Sequence, residues 1–365
     1  MRTDIAHRPF EPERMQGDLA AVAAVRGVGQ NGAAASQESA MPMLRRRALA
    51  GLAALAGLPR LAGAEVIARP ARTIVGFPAG GSSDLVARLY AERLRGSYAP
   101  QVIVETRTGA AGRIAVEAVK AAPPDGETWL QSPASMLTLH PHAYPRQVRY
   151  DALTDFAPVS TVVSFPFAVT VPHDHPAADF AGFVAWARGQ REEIPYASPA
   201  AGAAPHFLGV QLARAIGAHM THVTYRGAVP AIQDLIGGRI QIFIGVLGDV
   251  TPHAGKGLRI LAISAEGRNP RYPNLPTLAE LGHPGLTTEE WFGVLLPAGT
   301  PQPIQDGLFQ AILRAAADPG LREALERQDY GVVTSASPAA FADRIRRERA
   351  EWAKVVQASG VQLEE

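Results

Sequence analysis

Cysteine is absent from all 365 residues. That removes disulfides, thiolate metal sites, cysteine nucleophiles and a lipid-bearing cysteine at a processed N-terminus. The apolar run at residues 48–58 is only eleven residues long, too short to span a bilayer as a stable helix. No nucleophile elbow of the G-x-S-x-G type occurs, which weighs against a secreted hydrolase. A surplus of positive charge is missing too. Residues 1–64 hold 8 of the 35 basic and 5 of the 34 acidic residues, leaving 27 against 29 in the remainder, and no basic stripe with interleaved aromatics marks a nucleic-acid partner.

What is present starts with a leader. Residues 1–40 have few aromatics and no periodicity; Met41-Pro-Met43-Leu44-Arg45-Arg46-Arg47 then runs into the apolar stretch, and Ala62-Gly63-Ala64 closes it. Basic head, short apolar middle and A-x-A end predict a secretory signal, by the Sec or the twin-arginine route, with a start at Met41 or Met43 and cleavage after Ala64. The expected location is the periplasm.

Two glycine-rich loops stand out in the mature part: Phe77-Pro78-Ala79-Gly80-Gly81-Ser82-Ser83-Asp84 and Thr108-Gly109-Ala110-Ala111-Gly112-Arg113. Each follows a strand-like run and opens a helix-like one. Residues without bulky Cβ groups let several backbone N–H donors turn toward one anion, and the helix behind adds its positive dipole end. Neither loop fits G-x-x-x-x-G-K-[ST] or G-x-G-x-x-G, so a nucleotide is not the expected anion. Ser82 and Ser83 have no assignable base, so the loops read as binding without chemistry. Asp84 sits in a first helical turn, where a structural role with orphan N–H groups is expected. Phe77 either walls a pocket or packs the sheet.

From about residue 72 short β-branched runs alternate with helix-period segments, which predicts α/β layering with mostly parallel strands. Strands are expected at 73–77, 102–105, 128–131, 194–197, 219–224, 240–244, 259–264 and 291–296, with a helix at 83–95 behind the first loop. Two apolar runs, 159–163 and 167–171, read as an exit from the first domain, and the 291–296 strand as the return. The predicted organisation is a domain of residues 70–166 and 288–365 around a second domain of 167–287, joined by two crossing strands. A long loop is expected to carry His140 and His142. Those two and the His173/His175 pair read as solvated loop histidines, with no metal and no cofactor expected.

Six further segments fall into one order with the glycine loops: Ala122-Pro-Pro-Asp125-Gly126, Asp155-Phe-Ala-Pro-Val159, Tyr196-Ala-Ser198, His222-Val-Thr-Tyr225-Arg-Gly227, Leu235-Ile-Gly-Gly238 and Trp291-Phe-Gly293 through Pro297-Ala-Gly-Thr-Pro301. In that order the chain resembles the Bug-type extracytoplasmic solute receptors, the substrate-binding subunits of tripartite tricarboxylate transporters. The resemblance implies a two-lobed periplasmic binding fold of the Venus-flytrap kind (type II), closing on a small organic carboxylate held largely by backbone N–H groups. It also implies a membrane permease as partner, no enzymatic activity, no membrane anchor on the mature protein and a monomer. A sensor subunit that docks on a signalling kinase is the alternative.

The ligand-binding set so expected is Phe77, Pro78, Ala79, Gly80, Gly81, Ser82, Gly109, Ala110, Ala111, Arg113, Ser132, Ser198, Gly202, Ala203, His206 and Gly245. Arg113 reads either as a direct partner of the carboxylate or as a surface arginine, and His206 as contact or as packing. Departures from the family pattern bear on the ligand. Residues 199–204 offer few hydroxyls, and Gly245-Val246-Leu247 follows the 240–244 strand where many members place an Asp facing the ligand. Both changes predict a ligand whose far end is apolar or aromatic.

Overall fold

The computed structural model describes residues 66–361 and 363. The expected leader, its start and its cleavage site lie outside these residues. β1 (Ala71–Val75) is buried at four of its five positions, as a parallel strand covered on both faces must be. α1 (Ser82–Leu94) then buries Val86, Ala87, Tyr90, Ala91 and Leu94, a stripe at helical spacing. β2 (Val102–Thr106) and β3 (Thr128–Pro133) flank β1 in parallel, with α2 (Arg113–Lys120) between them.

The chain then enters two short helices, α3 (Ala134–Thr138) and α4 (His140–Ala143), where a loop was expected. Pro141 does not prevent this, because it occupies the first turn, where its missing N–H is not needed. His140 is thereby fully buried, and His175 is 5% exposed; neither is a solvated loop histidine.

The two runs expected to leave the first domain are one strand, β4 (Phe156–Pro172). Its first part, Phe156 to Pro166, pairs antiparallel with β9 (Glu289–Pro297), and its last part, Phe167 to Pro172, pairs with β7 (Ile242–Val246) and β8 (Leu258–Ile263). Pro158 is tolerated inside this strand because the pairing with β9 shifts register just after it. Beyond it lie α5 (Phe180–Gly189), β5 (Ile194–Ser198), α6 (Ala204–Ile216), β6 (Met220–Thr224), α7 (Ala228–Ile236) and the four-residue α8 (Leu247–Val250). After β9 the chain finishes with α9 (Gln302–Ala317), α10 (Pro319–Glu326), β10 (Gly331–Val332) and α11 (Pro338–Ser359).

The hydrogen-bonded order is β2-β1-β3-β9-β4-β7-β5-β6, with β8 and β10 also on β4. This is a two-lobed α/β fold threaded on one long strand. In the first lobe β1 lies between β2 and β3; in the second β5 lies between β6 and β7. Strand order reverses at β1 and at β5, so the crevice beyond their carboxyl ends is where an α/β sheet leaves room for a ligand. The loops that follow these two strands are residues 76–81 and 199–203. Ser264 staples the two lobe-to-lobe passages together: its backbone N–H donates to Phe167, its hydroxyl donates to Thr288, and its carbonyl accepts the Thr288 N–H at 2.9 Å.

Candidate functional site

The first glycine loop leaves β1 with Gly76 so close to the second loop that a Cβ there would lie 2.9 Å from the Gly112 Cα and carbonyl oxygen. The two loops therefore touch. They nevertheless face different openings, because Phe77 and Pro78 form a ridge between two clefts.

The first cleft, a cavity of about 60 Å³, has Phe77, Pro78, Gly81, Ser82, Ser83 and Met136 on the side of the first lobe. The second lobe supplies Pro199, Ala200, Ala203, Pro205 and residues 227–230, and Phe165, Phe167 and Phe292 close the end where β4 and β9 run. Those three rings pack edge to face at the lobe boundary, Phe165 and Phe292 with centroids 4.7 Å apart. Two carboxyls complete the lining. Glu290 accepts from the backbone N–H and the hydroxyl of Ser135, and its pKa is pushed up to about 7, chiefly by burial, with the Glu348 charge adding to it. Asp249, on α8, is raised to about 6 by burial although the Ser82 backbone and hydroxyl both hydrogen-bond it. The sequence reading missed both, together with Met136 and the three phenylalanines. Only an acid inside the apolar 242–250 stretch, and a second one beside Trp291, hinted at the carboxyls.

Part of the first loop's donor set is already engaged. The Gly80 N–H donates to Asp84 at 3.0 Å, and Arg88 pairs with the same carboxylate, which holds the Asp84 pKa low despite its burial. Asp84 is thus structural, as its first-turn position predicts. Ala79 is exposed outside both clefts, and Gly80 lines a groove at their edge with Gly81 and Ser82.

The second cleft is more polar. Gly109, Ala110, Ala111 and Gly112 line it opposite Pro199, Ala201 and residues 224–227. Ala110 and Ala111 hold φ values of 46° and 52°, and Gly109 and Gly112 are positive as well. Two successive alanines in the left-handed region cost roughly 1–2 kcal/mol each, which the packing of the loop must offset.

Besides Ala79 and Gly80, six of the sixteen expected positions line neither cleft. Arg113 is 3% exposed with its guanidinium 4.1 Å over the Tyr144 ring, neither at the surface nor in a cleft, because the helix turn that follows Gly112 points it inward. Ser132 is buried and donates to the Pro133 carbonyl. Ser198 meets His222 Nε2 at 2.8 Å and also donates to the Ala200 carbonyl. This serine–histidine contact is sealed, with Ser198 fully buried, so it offers no nucleophile to either cleft. Gly202 donates its N–H to His206 Nδ1, and a Cβ there would strike the Tyr144 ring at 2.4 Å. His206 stacks on His222 with centroids 3.8 Å apart; burial lowers their pKa values to about 4 and about 3, and both rings stay neutral. Gly245 is buried with the Phe243 ring filling the place of its side chain.

Comparison with known proteins decides what this architecture belongs to. The family model described as "Tripartite tricarboxylate transporter family receptor" matches residues 86–361. The chain belongs to that receptor family. Protein BugT of Bordetella pertussis is 33% identical over 297 residues, covering 81% of this chain and 91% of that protein. The solved periplasmic binding protein BugD is 30% identical with a TM-score of 0.76, across 81% of this chain and 99% of BugD. R. palustris Rpa4515, solved with adipate, is likewise 30% identical with a TM-score of 0.76, across 80% of this chain and 98% of that one. Among the described residues no helix is long and apolar enough to cross a membrane, and no group of histidines, aspartates and glutamates is placed to hold a metal ion.

Proposed function

We propose that this receptor-family chain works outside the cytoplasm, binds a small organic carboxylate in the first cleft and delivers it unchanged to a membrane permease. The observation that carries the reading is the cleft itself: it lies where both sheets reverse strand order, and walls from both lobes meet across it. The hinge of this reading falls at Pro166/Phe167 and at 287/288, between a first domain of 70–166 with 288–365 and a second of 167–287. Closure about it reports occupancy, since a ligand that binds the closed form better shifts the lobes toward it.

The ligand of this reading is a carboxylic acid with an apolar or aromatic body. Phe77, Met136, Phe165, Phe167, Val246 and Phe292 present hydrocarbon to the cleft, and no lysine or arginine among the described residues lines it. The adipate bound to the related R. palustris protein, a chain of methylenes between two carboxylates, fits that description. A thermal-shift panel tests it. Adipate, straight-chain monocarboxylates and benzoate are expected to raise the melting temperature, as about 2.7 kcal/mol at a hundred times Kd would; stabilisation by aspartate and glutamate alone overturns the apolar body. Mass spectrometry of the recovered ligand is expected to show it intact, and turnover would overturn the receptor role.

A further inference from the structure

Glu290 and Phe292, two residues apart on β9, share the strand face that lines the first cleft. The Glu290 carboxyl is held on one side only. Its Oε1 accepts the Ser135 backbone N–H at 2.8 Å and the Ser135 hydroxyl, and that hydroxyl in turn accepts the Ala204 N–H of the second lobe at 2.9 Å. No described residue donates to Oε2. The side chain is 5% exposed and borders the cleft, so this unclaimed oxygen is the polar atom it offers there.

The charges around Glu290 supply no counter-ion. On α11 the Glu348 carboxylate is engaged by Arg344 and by the Trp291 indole N–H, and its charge works against a second anion at Glu290. Asp249 on α8 borders the same cleft, and Glu289, next along β9, lines a different cavity. α3 and β4, which meet Glu290 through Ser135 and Phe165, carry no ionisable side chain, and His206 near the start of α6 is neutral. An ionised ligand brings a third acid into this lining. Like charges crowded out of water are relieved by keeping a proton between them. Burial has already moved Glu290 to about 7, whereas Asp249, with the Ser82 donors at the start of α1, is raised only to about 6.

We propose that Glu290 is a specificity-determining residue that grips the ligand through a proton: one H⁺ is shared between its Oε2 and a carboxylate oxygen of the ligand, so the receptor captures its acid together with a proton. This rests on the carboxylate-receptor reading and deepens it. The balance is simple. Ionised ligand, ionised Glu290 and one H⁺ from the solvent join into a pair of net charge −1, and no covalent bond to carbon changes. A hydrogen bond from a carboxylic acid to a carboxylate is short and strong, and it stands in for the lysine or arginine that the lining lacks. It also selects. A ligand ammonium would pair with ionised Glu290 and expel the proton, so the sign of proton exchange separates an acid from an amine.

The test is titration calorimetry of the full chain with adipate and with benzoate, each in two buffers of different ionisation enthalpy. At pH 8 the parent is expected to take up close to one proton per ligand, at pH 6 very little, and its affinity is expected to fall about tenfold per pH unit between pH 7.5 and 9. Glu290→Gln, whose amide donates without titrating, is expected to bind at pH 8 with no uptake and a flat affinity across that window; Asp249→Asn is expected to keep the uptake. Binding by the parent at pH 8 with no proton uptake, or with release, overturns the proposal, as does uptake that survives in Glu290→Gln. The parent's proton count decides by itself, so a misfolded variant does not shelter the idea. The two readings fail apart: no heat from either acid at any pH sinks the receptor reading and this proposal with it, whereas binding without uptake sinks this proposal alone.

Discussion

The two clefts share Phe77, Pro78, Pro199 and Gly227, yet differ in what is buried beside them. Beside the first lie two acids held above their usual range, Asp249 and Glu290. Beneath the loop that bounds the second, His206 and His222 are held below theirs. Burial is the leading cause in all four, and it disfavours whichever form is charged. One physical effect therefore gives the two sides opposite responses to pH. The glycine loops differ in the same spirit: the first has donors engaged by Asp84 and Asp249, whereas the second is an unusual run of left-handed backbone.

The largest effect expected is on the histidine side. His222 drops from 6.5 to about 3 on folding, so the unfolded chain takes up that proton first. Its contribution is intact above pH 6.5 and is lost as pH falls toward 3, by about 5 kcal/mol at the acid limit and about 3 kcal/mol of that by pH 4. Chemical denaturation at pH 7 and pH 4 is expected to show this loss, and His222→Gln to reduce it; an identical pH slope in the variant would break the contrast. Next comes the joint that sets the loops apart. Gly76→Ala places a methyl against the Gly112 backbone and is expected to cost about 2–3 kcal/mol, read as a lower melting temperature.

On the acid side the sign reverses. Glu290 rises from 4.5 to about 7, so its contribution is full below pH 4.5 and is lost as pH rises through 7. Glu290→Gln keeps an acceptor for Ser135 and is expected to stabilise the protein by about 2–3 kcal/mol at pH 8 and hardly at all at pH 4.5. The smallest effect sharpens the comparison of the loops. Ala111→Gly relieves a left-handed alanine but adds unfolded-state freedom, for a net gain of about 0.5–1 kcal/mol in the melting equilibrium.

Much of the fold was legible because local chemistry and tertiary environment agreed. β-branched runs became strands within a residue or two of their expected bounds, and the helix at 83–95 is Ser82–Leu94. The histidine loop was misread because short helices carry too few residues to show a period, and α3 and α4 have five and four. The strands on either side of residue 164 looked like two elements for a related reason: Pro166 interrupts the run, and only the pairing shows one strand carrying through it, with Pro166 opposite Glu289 of β9 and Phe167 opposite Val246 of β7. At the site, Phe77, Pro78, Gly81, Ser82 and Ala203 reach the first cleft and residues 109–111 the second. His206 and Ser198 did not reach either, since both pack on His222, which the sequence places on another element, and Gly245 is covered by the Phe243 ring two residues before it.

The sequence by itself determined the alternation of strands and helices, the two loops of small residues and the family pattern that orders them, because each of these follows from spacing along the chain. Tertiary structure alone decided that the loops open into separate clefts, that Asp249 crosses from one lobe to the start of a helix in the other, and that four titratable side chains carry shifted pKa values. Those outcomes depend on which surfaces exclude water from one another, and that is settled by contacts between residues more than a hundred positions apart, as Ser82 and Asp249 are.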